Sequence, residues 1–245
     1  MHVPIEGDET SAQLYVRWMN TGNYRYQADQ HEEALFAYTQ AVKHNPRDAF
    51  AFCCLAEVLN SLGRFEEALK ASDYAMSLNA GSVAASTSKV EALMNLHHHE
   101  QALRTCEQAL ALAPAEAGLY AVKGDILTDL RRDQEALIAY AQALQLDPRC
   151  AGIYNNLGIL LTQMQRHEEA IRSFERALEL EPGNAMISDN LSSLLENLGR
   201  WREALSVQMR GEARDTQSEG AGNPQADAMA GQDMPALQHT ARWLL

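Results

Sequence analysis

Three consecutive histidines, His97, His98 and His99, are the densest run of metal-capable side chains in the sequence. Neighbouring residues at a helix–helix turn point in different directions and offer no preset tetrahedron, so no metal site is expected there. His31-Glu32 and His167-Glu168 each supply the first half of a two-histidine zinc helix, but the second histidine four places on is missing from both. Cys53 and Cys54 are adjacent on a helical segment, where their side chains diverge too far for a mutual disulfide. Neither Cys106 nor Cys150 has zinc-ligand spacing to another cysteine or histidine. Reduced thiols and a cytoplasmic location are expected. Asn190-Leu191-Ser192 is formally a glycosylation acceptor, but it sits within a helical pattern and is expected to be unused. No phosphate-cradling glycine loop or nucleophile elbow occurs, and acidic pairs fall only at positions that recur with a fixed period along the chain. Neither catalysis nor a cofactor is expected.

The chain of 245 residues carries 33 acidic against 20 basic residues, a formal charge of −13. Such a molecule repels phosphate backbones and anionic membrane surfaces, which excludes nucleic acid and membrane as expected partners. The first residues include Glu6, Asp8 and Glu9 and have neither the basic start nor the apolar run of a secretory signal. The longest apolar runs, such as Ile159 to Leu161, fall far short of the roughly 18 residues of a membrane span.

The elements that must position any functional residue follow from a periodicity. Pro46, Pro114, Pro148 and Pro182 are separated by 68, 34 and 34 residues, and Ala80 stands in the missing place. The same step links Ala34, Ala68, Ala102, Ala136, Ala170 and Ala204. Between these anchors apolar residues recur at helical spacing, as in Tyr154, Leu157, Leu161 and then Ala170, Phe174, Ala177, Leu178. Breaks fall within each period, at Gly63, His97 to His99, Arg131 to Asp133, Gln165-Arg166 and Gly199. They fall again between periods, as at Asn45-Pro46 and Asp147-Pro148. Each period is therefore two helices; nothing alternates with period two, and an all-α fold is expected. The alanines belong where the two helices of a hairpin cross closely, because little more than a methyl group fits there. Trp18, Phe52, Tyr120 and Tyr154 share one place in the first helices, and Tyr38, Tyr140 and Phe174 share one in the second. They are expected to form an apolar spine.

The stretch Tyr154-x2-Leu157-Gly158-x2-Leu161, followed by Ala170-x3-Phe174 and Pro182, resembles the tetratricopeptide repeat. The resemblance covers units near 15–48, 49–82, 83–116, 117–150 and 151–184, with a remnant from Ala185. It implies a right-handed superhelical solenoid of helix-turn-helix hairpins over residues 15–211, five full repeats and a degenerate, capping sixth. The third unit has Ser86, Lys89 and Cys106 where others carry larger or apolar residues, so looser packing is expected there. In the sixth, Gln208 and Gly211 replace the usual aromatic and alanine, as suits a last helix whose outer face meets water.

In this family the first helix of each unit lines the concave face. Projecting the face opposite the spine gives Asn20, Asn23 and Gln27, then Glu57 and Glu91. The later units add Asp125 and Asp129, then Asn156 and Gln163, then Asp189, Asn190 and Asn197. These are the expected partner-binding residues. They include no lysine or arginine, so the paired cations with which some relatives grip the carboxylate of a chaperone tail are missing. Asn20, Asn156 and Asn190 occupy one equivalent place, broken by Cys54, Ser88 and Val122. An amide can donate to and accept from an extended backbone together; equally, these amides could be solvated or support their helices. Electrostatics favour a neutral or basic segment as the bound protein or peptide.

Residues 1–14 are expected as a lead-in and 212–233, rich in Gly, Ala, Gln, Asp and Ser, as a flexible linker. In 234–245, Leu237, Ala241, Leu244 and Leu245 lie at helical spacing beside Trp243. Such a short amphipathic segment could dock in cis, dock onto a partner, or stay disordered. The expected function is that of a non-catalytic scaffold or adaptor binding a polypeptide in its groove. The alternative is an accessory subunit or chaperone of a glycosyltransferase or secretion assembly, acting in trans.

Overall fold

The protein is described by a computed structural model, which covers residues 10–218, with side chains to Met209. The lead-in before Thr10 and the expected amphipathic segment 234–245 lie outside the described residues, as does most of the expected linker. Twelve α-helices and no strand occur among the described residues. They are α1 (Ser11–Gln27), α2 (His31–His44), α3 (Ala49–Ser61), α4 (Phe65–Leu78), α5 (Val83–Asn95) and α6 (His99–Leu112). They continue with α7 (Ala117–Asp129), α8 (Asp133–Leu146), α9 (Ala151–Gln163), α10 (His167–Leu180), α11 (Ala185–Asn197) and α12 (Trp201–Ser218).

The helices form two compact units that divide between Leu130 and Arg131. In the first, α1 packs on α2, α3 on α4 and α5 on α6, and α7 stacks on α6. In the second, α8 is followed by the hairpins α9–α10 and α11–α12.

Local chemistry sets the helix ends. Thr10 and Gln13 form a reciprocal capping box, so α1 begins at Ser11, earlier than the repeat pattern suggests. Asp48, Ser82 and Asn184 cap α3, α5 and α11 through their side chains. The turn inside each period uses one backbone device. Asp29, Gly63, His97, Arg131, Gln165 and Gly199, one period apart, all have φ between 59° and 74°. After Asp29, Gly63, His97, Gln165 and Gly199 the next residue's N–H bonds back to a carbonyl five residues earlier, as in Arg64 to Leu59 at 2.8 Å and Arg166 to Leu161 at 2.9 Å. That is the Schellman closure. The residue after the positive-φ position is arginine in four periods, and each of these arginines forks onto the glutamate three places on: Arg64 to Glu67, Arg132 to Glu135, Arg166 to Glu169 and Arg200 to Glu203.

At the hairpin crossings the six periodic alanines are at most 1% exposed. Gly22 and Gly158 lie against the rings of Tyr38 and Phe174, whose faces occupy the space a side chain would need. Where the second helix lacks a ring, the first helix carries something larger: Ala56 goes with Ser72, and Val90 with Cys106. Val90 is 1% exposed and Cys106 is fully buried, its Sγ donating to the Leu119 carbonyl at 3.3 Å. The third hairpin therefore closes at its crossing, because valine supplies the volume that the missing aromatic would have filled. At the other end, α12 runs on to Ser218, into the stretch expected as linker; Glu212, Ala213, Arg214 and Gln217 are strong enough helix formers to continue past Gly211.

Candidate interaction groove

One concavity lies within the first unit. It is an open groove of about 630 Å³ between α5 and α7, and its lining includes no lysine or arginine. Met94 and Val122 give it an aliphatic lining, and Glu91, Asp125 and Asp129 bring three carboxylates to it. His97 and His99 stand at one end, where the His99 Nδ1 lies 3.4 Å from the Asp129 carboxylate, an ion pair when the imidazole is protonated.

These residues converge because of the repeat. Glu91 and Asp125 hold the same place in α5 and α7, so stacking two hairpins brings like charges onto one face. Asn95 and Asp129 are matched in the same way. Glu91 is exposed as a residue, yet its carboxylate is partly withdrawn from water. Desolvation raises its pKa above the ordinary value, a hydrogen bond from Asn60 Nδ2 at 3.1 Å opposes this, and the charge of Glu57 adds to the rise. Asn60 itself is 5% exposed and uses the same amide to hold the Ser88 carbonyl at 2.8 Å, tying α3 to α5. Its Oδ1 is buried without a hydrogen-bond partner.

The other expected residues separate by role. Asn20, Gln27 and Glu57 are exposed on α1 and α3. Asn23 accepts a hydrogen bond from the Tyr38 hydroxyl at 2.8 Å and so is engaged with the core ring of its own hairpin. In the second unit, Asn190 Nδ2 donates to Asn155 Oδ1 at 2.8 Å, and Asn155 Nδ2 reaches Asn156 Oδ1 at 3.3 Å. Two of the three equivalent asparagines are thus joined through Asn155, which is 2% exposed. The sequence showed Asn155 only as a neighbour of Asn156; its place is Met19, Cys53 and Ala121 in three other first helices but Thr87 and Asp189 in the remaining two, so polarity there gave no signal of a buried amide. Gln163 accepts from Arg131 at 3.3 Å, while Asp189 and Asn197 are exposed on α11.

The thiols take no part in this surface chemistry. Burial pushes Cys54 up to about 12 and Cys106 up to about 11, so both stay protonated at neutral pH. Among the described residues no three His, Cys, Asp or Glu side chains converge as a metal site, and no helix is long and apolar enough to cross a membrane.

Sequence profiles described as tetratricopeptide repeat match residues 37–70, 87–151 and 151–184, together more than half of the chain. Curated protein sequences gave no match. Several solved structures are similar. TTC0263, a thermophilic tetratricopeptide protein of Thermus thermophilus, is 24% identical, with 74% of this chain and 98% of that one covered at a TM-score of 0.67. MamA (41 to end) of Desulfovibrio magneticus is 23% identical, over 74% of this chain and 99% of that one, at 0.61. YrrB, described as having an unusual peptide-binding site, is 23% identical over 71% and 90%, at 0.52. At these identities the likeness is one of fold.

Proposed function

The chain belongs to the tetratricopeptide repeat family, and from that premise we propose that it is a non-catalytic scaffold whose first unit holds a basic, extended polypeptide segment in the groove between α5 and α7. Proteins of this family bind other proteins or peptides. The observation that carries the finer reading is the pairing of an aliphatic lining, Met94 and Val122, with the carboxylates of Glu91, Asp125 and Asp129. Lysine and arginine have that dual character: the methylene stem lies along apolar surface while the cationic head meets an acceptor. An acidic segment would bring its charges against three carboxylates with no cation in the lining, and would be rejected. A preformed surface of this kind recognises without reacting.

The test is a titration of the full chain with a fluorescein-labelled Ala/Lys peptide and its Ala/Glu counterpart. The basic peptide should bind, more weakly as salt rises and more weakly still to the Asp125→Asn, Asp129→Asn double variant. Equal behaviour of the two peptides, or an unchanged affinity in the variant, would remove the reading.

A further inference from the structure

We propose that the outer face of α12 is covered by this chain's own segment 234–245. Trp201, Leu205 and Met209 are spaced four residues apart on one helical face, and they are 64%, 57% and 61% exposed. The outer face of this last helix meets water, but with an apolar stripe on it. Ile171 occupies the register place of Leu205 one period earlier, and it is 5% exposed because α11 packs after α10. Leu103, at the same place in the first unit, is 4% exposed. After α12 no further helix is present among the described residues, so the Leu205 place is left bare; Trp201 and Met209, which stand where the preceding period has the polar His167 and Glu175, widen it into an apolar stripe. A repeat array needs such an end covered by something with an apolar inner face.

The sequence beyond Ser218 contains a suitable occupant. Residues 219–233 carry Met229 as their one large apolar side chain, and residues 234–245 add Met234, Leu237, Ala241, Leu244 and Leu245 at helical spacing. From Leu205 to Ser218 the helix advances about 20 Å at ~1.5 Å per residue. A coil of fifteen Gly-, Ala- and Gln-rich residues has a root-mean-square span of about 20 Å. Span and distance match, the condition in which a tether gives its highest effective concentration, on the order of millimolar. The segment's one formal charge is that of Arg242, within a chain of net charge −13. Two whole copies would repel each other, whereas this segment meets no such opposition.

Hydrogen–deuterium exchange of the full chain tests the assignment. Amides of residues 201–209 should exchange at least tenfold more slowly in the natural chain than in the Leu237→Asp, Leu244→Asp variant, at every protein concentration. Leu205→Asp, which alters an exposed side chain and should leave exchange in α9 and α10 unchanged, should speed exchange within 234–245. Identical exchange of α12 in the natural chain and the double variant would overturn the proposal. So would protection that grows with concentration alongside a dimer in sedimentation, since the occupant would then be a second copy.

Discussion

Gly158 faces the ring of Phe174 so closely that a Cβ added to it would lie 2.7 Å from Cε1. Gly22 stands in the same relation to Tyr38, at 2.5 Å. The aromatic is part of the reason the glycine is there. Gly158→Val should lose stability by about 1–3 kcal/mol or more through overpacking, and Phe174→Cys about 2–4 kcal/mol through the cavity it leaves. The double variant recreates the pair Val90 and Cys106, which packs fully buried in the third hairpin. Its loss in urea unfolding should fall short of the sum by about 0.5–3 kcal/mol, the range for residues in contact. Additive losses would mean that the two positions do not share one space.

The turn device makes a second prediction. Gly63 has φ of 71°, and a Cβ added there meets nothing within 4 Å, so Gly63→Ala isolates the backbone cost of about 1 kcal/mol. Gln165 holds the matching place with φ of 61°. Gln165→Gly relieves that strain but gives the unfolded chain more freedom, leaving a gain of about 0.5–1 kcal/mol. Thermal melts of the two variants should move in opposite directions; a shift of the same sign would show that the turns are not equivalent.

The asparagine network changes what an alanine substitution reports. Removing Asn190 leaves the Oδ1 of buried Asn155 without its donor at 2.8 Å. Asn190→Ala should therefore lower stability by about 1–3 kcal/mol, the cost of an orphaned buried acceptor. Asn20→Ala, at the equivalent exposed place on α1, should change it by no more than about 0.5 kcal/mol. Matching losses in the two variants would argue that Asn155 contributes nothing to holding α9 and α11 together.

The sequence and structure agree where a residue's role is set by its own period. The alanines, the breaks and the helical spacing repeat every 34 residues, and each maps onto a buried crossing, an αL turn or a helix. What escaped depends on pairs drawn from different places in the period. Compensation of Cys106 by Val90 needs the crossing geometry, and without it the third hairpin reads as loose. Glu91, Asp125 and Asp129 were legible as one face, but the aliphatic lining from Met94 and Val122 was not, because apolar residues on a first helix look like core until the neighbouring helix is placed. The stripe Trp201, Leu205, Met209 was visible as spacing; its exposure is a matter of whether another helix packs on α12, which spacing alone does not say.

The last prediction separates the groove's function from its stability. Desolvation is the main reason that the Glu91 pKa is raised in the folded chain. For an acid with a raised folded pKa, the stabilising contribution is fully present below the unfolded value and is lost as pH rises through the folded one. Ionised Glu91 therefore opposes folding at neutral pH, and Glu91→Gln, which keeps an acceptor for Asn60, should raise Tm at pH 7 while giving no advantage at pH 4. The same change removes one of the three carboxylates available to a basic peptide. Affinity should fall a few-fold, in keeping with a partly exposed ion pair of about 1 kcal/mol or less, and the dependence of binding on salt should flatten. A glutamine variant that melts at the natural temperature and binds the Ala/Lys peptide with unchanged affinity would leave Glu91 as an ordinary surface side chain.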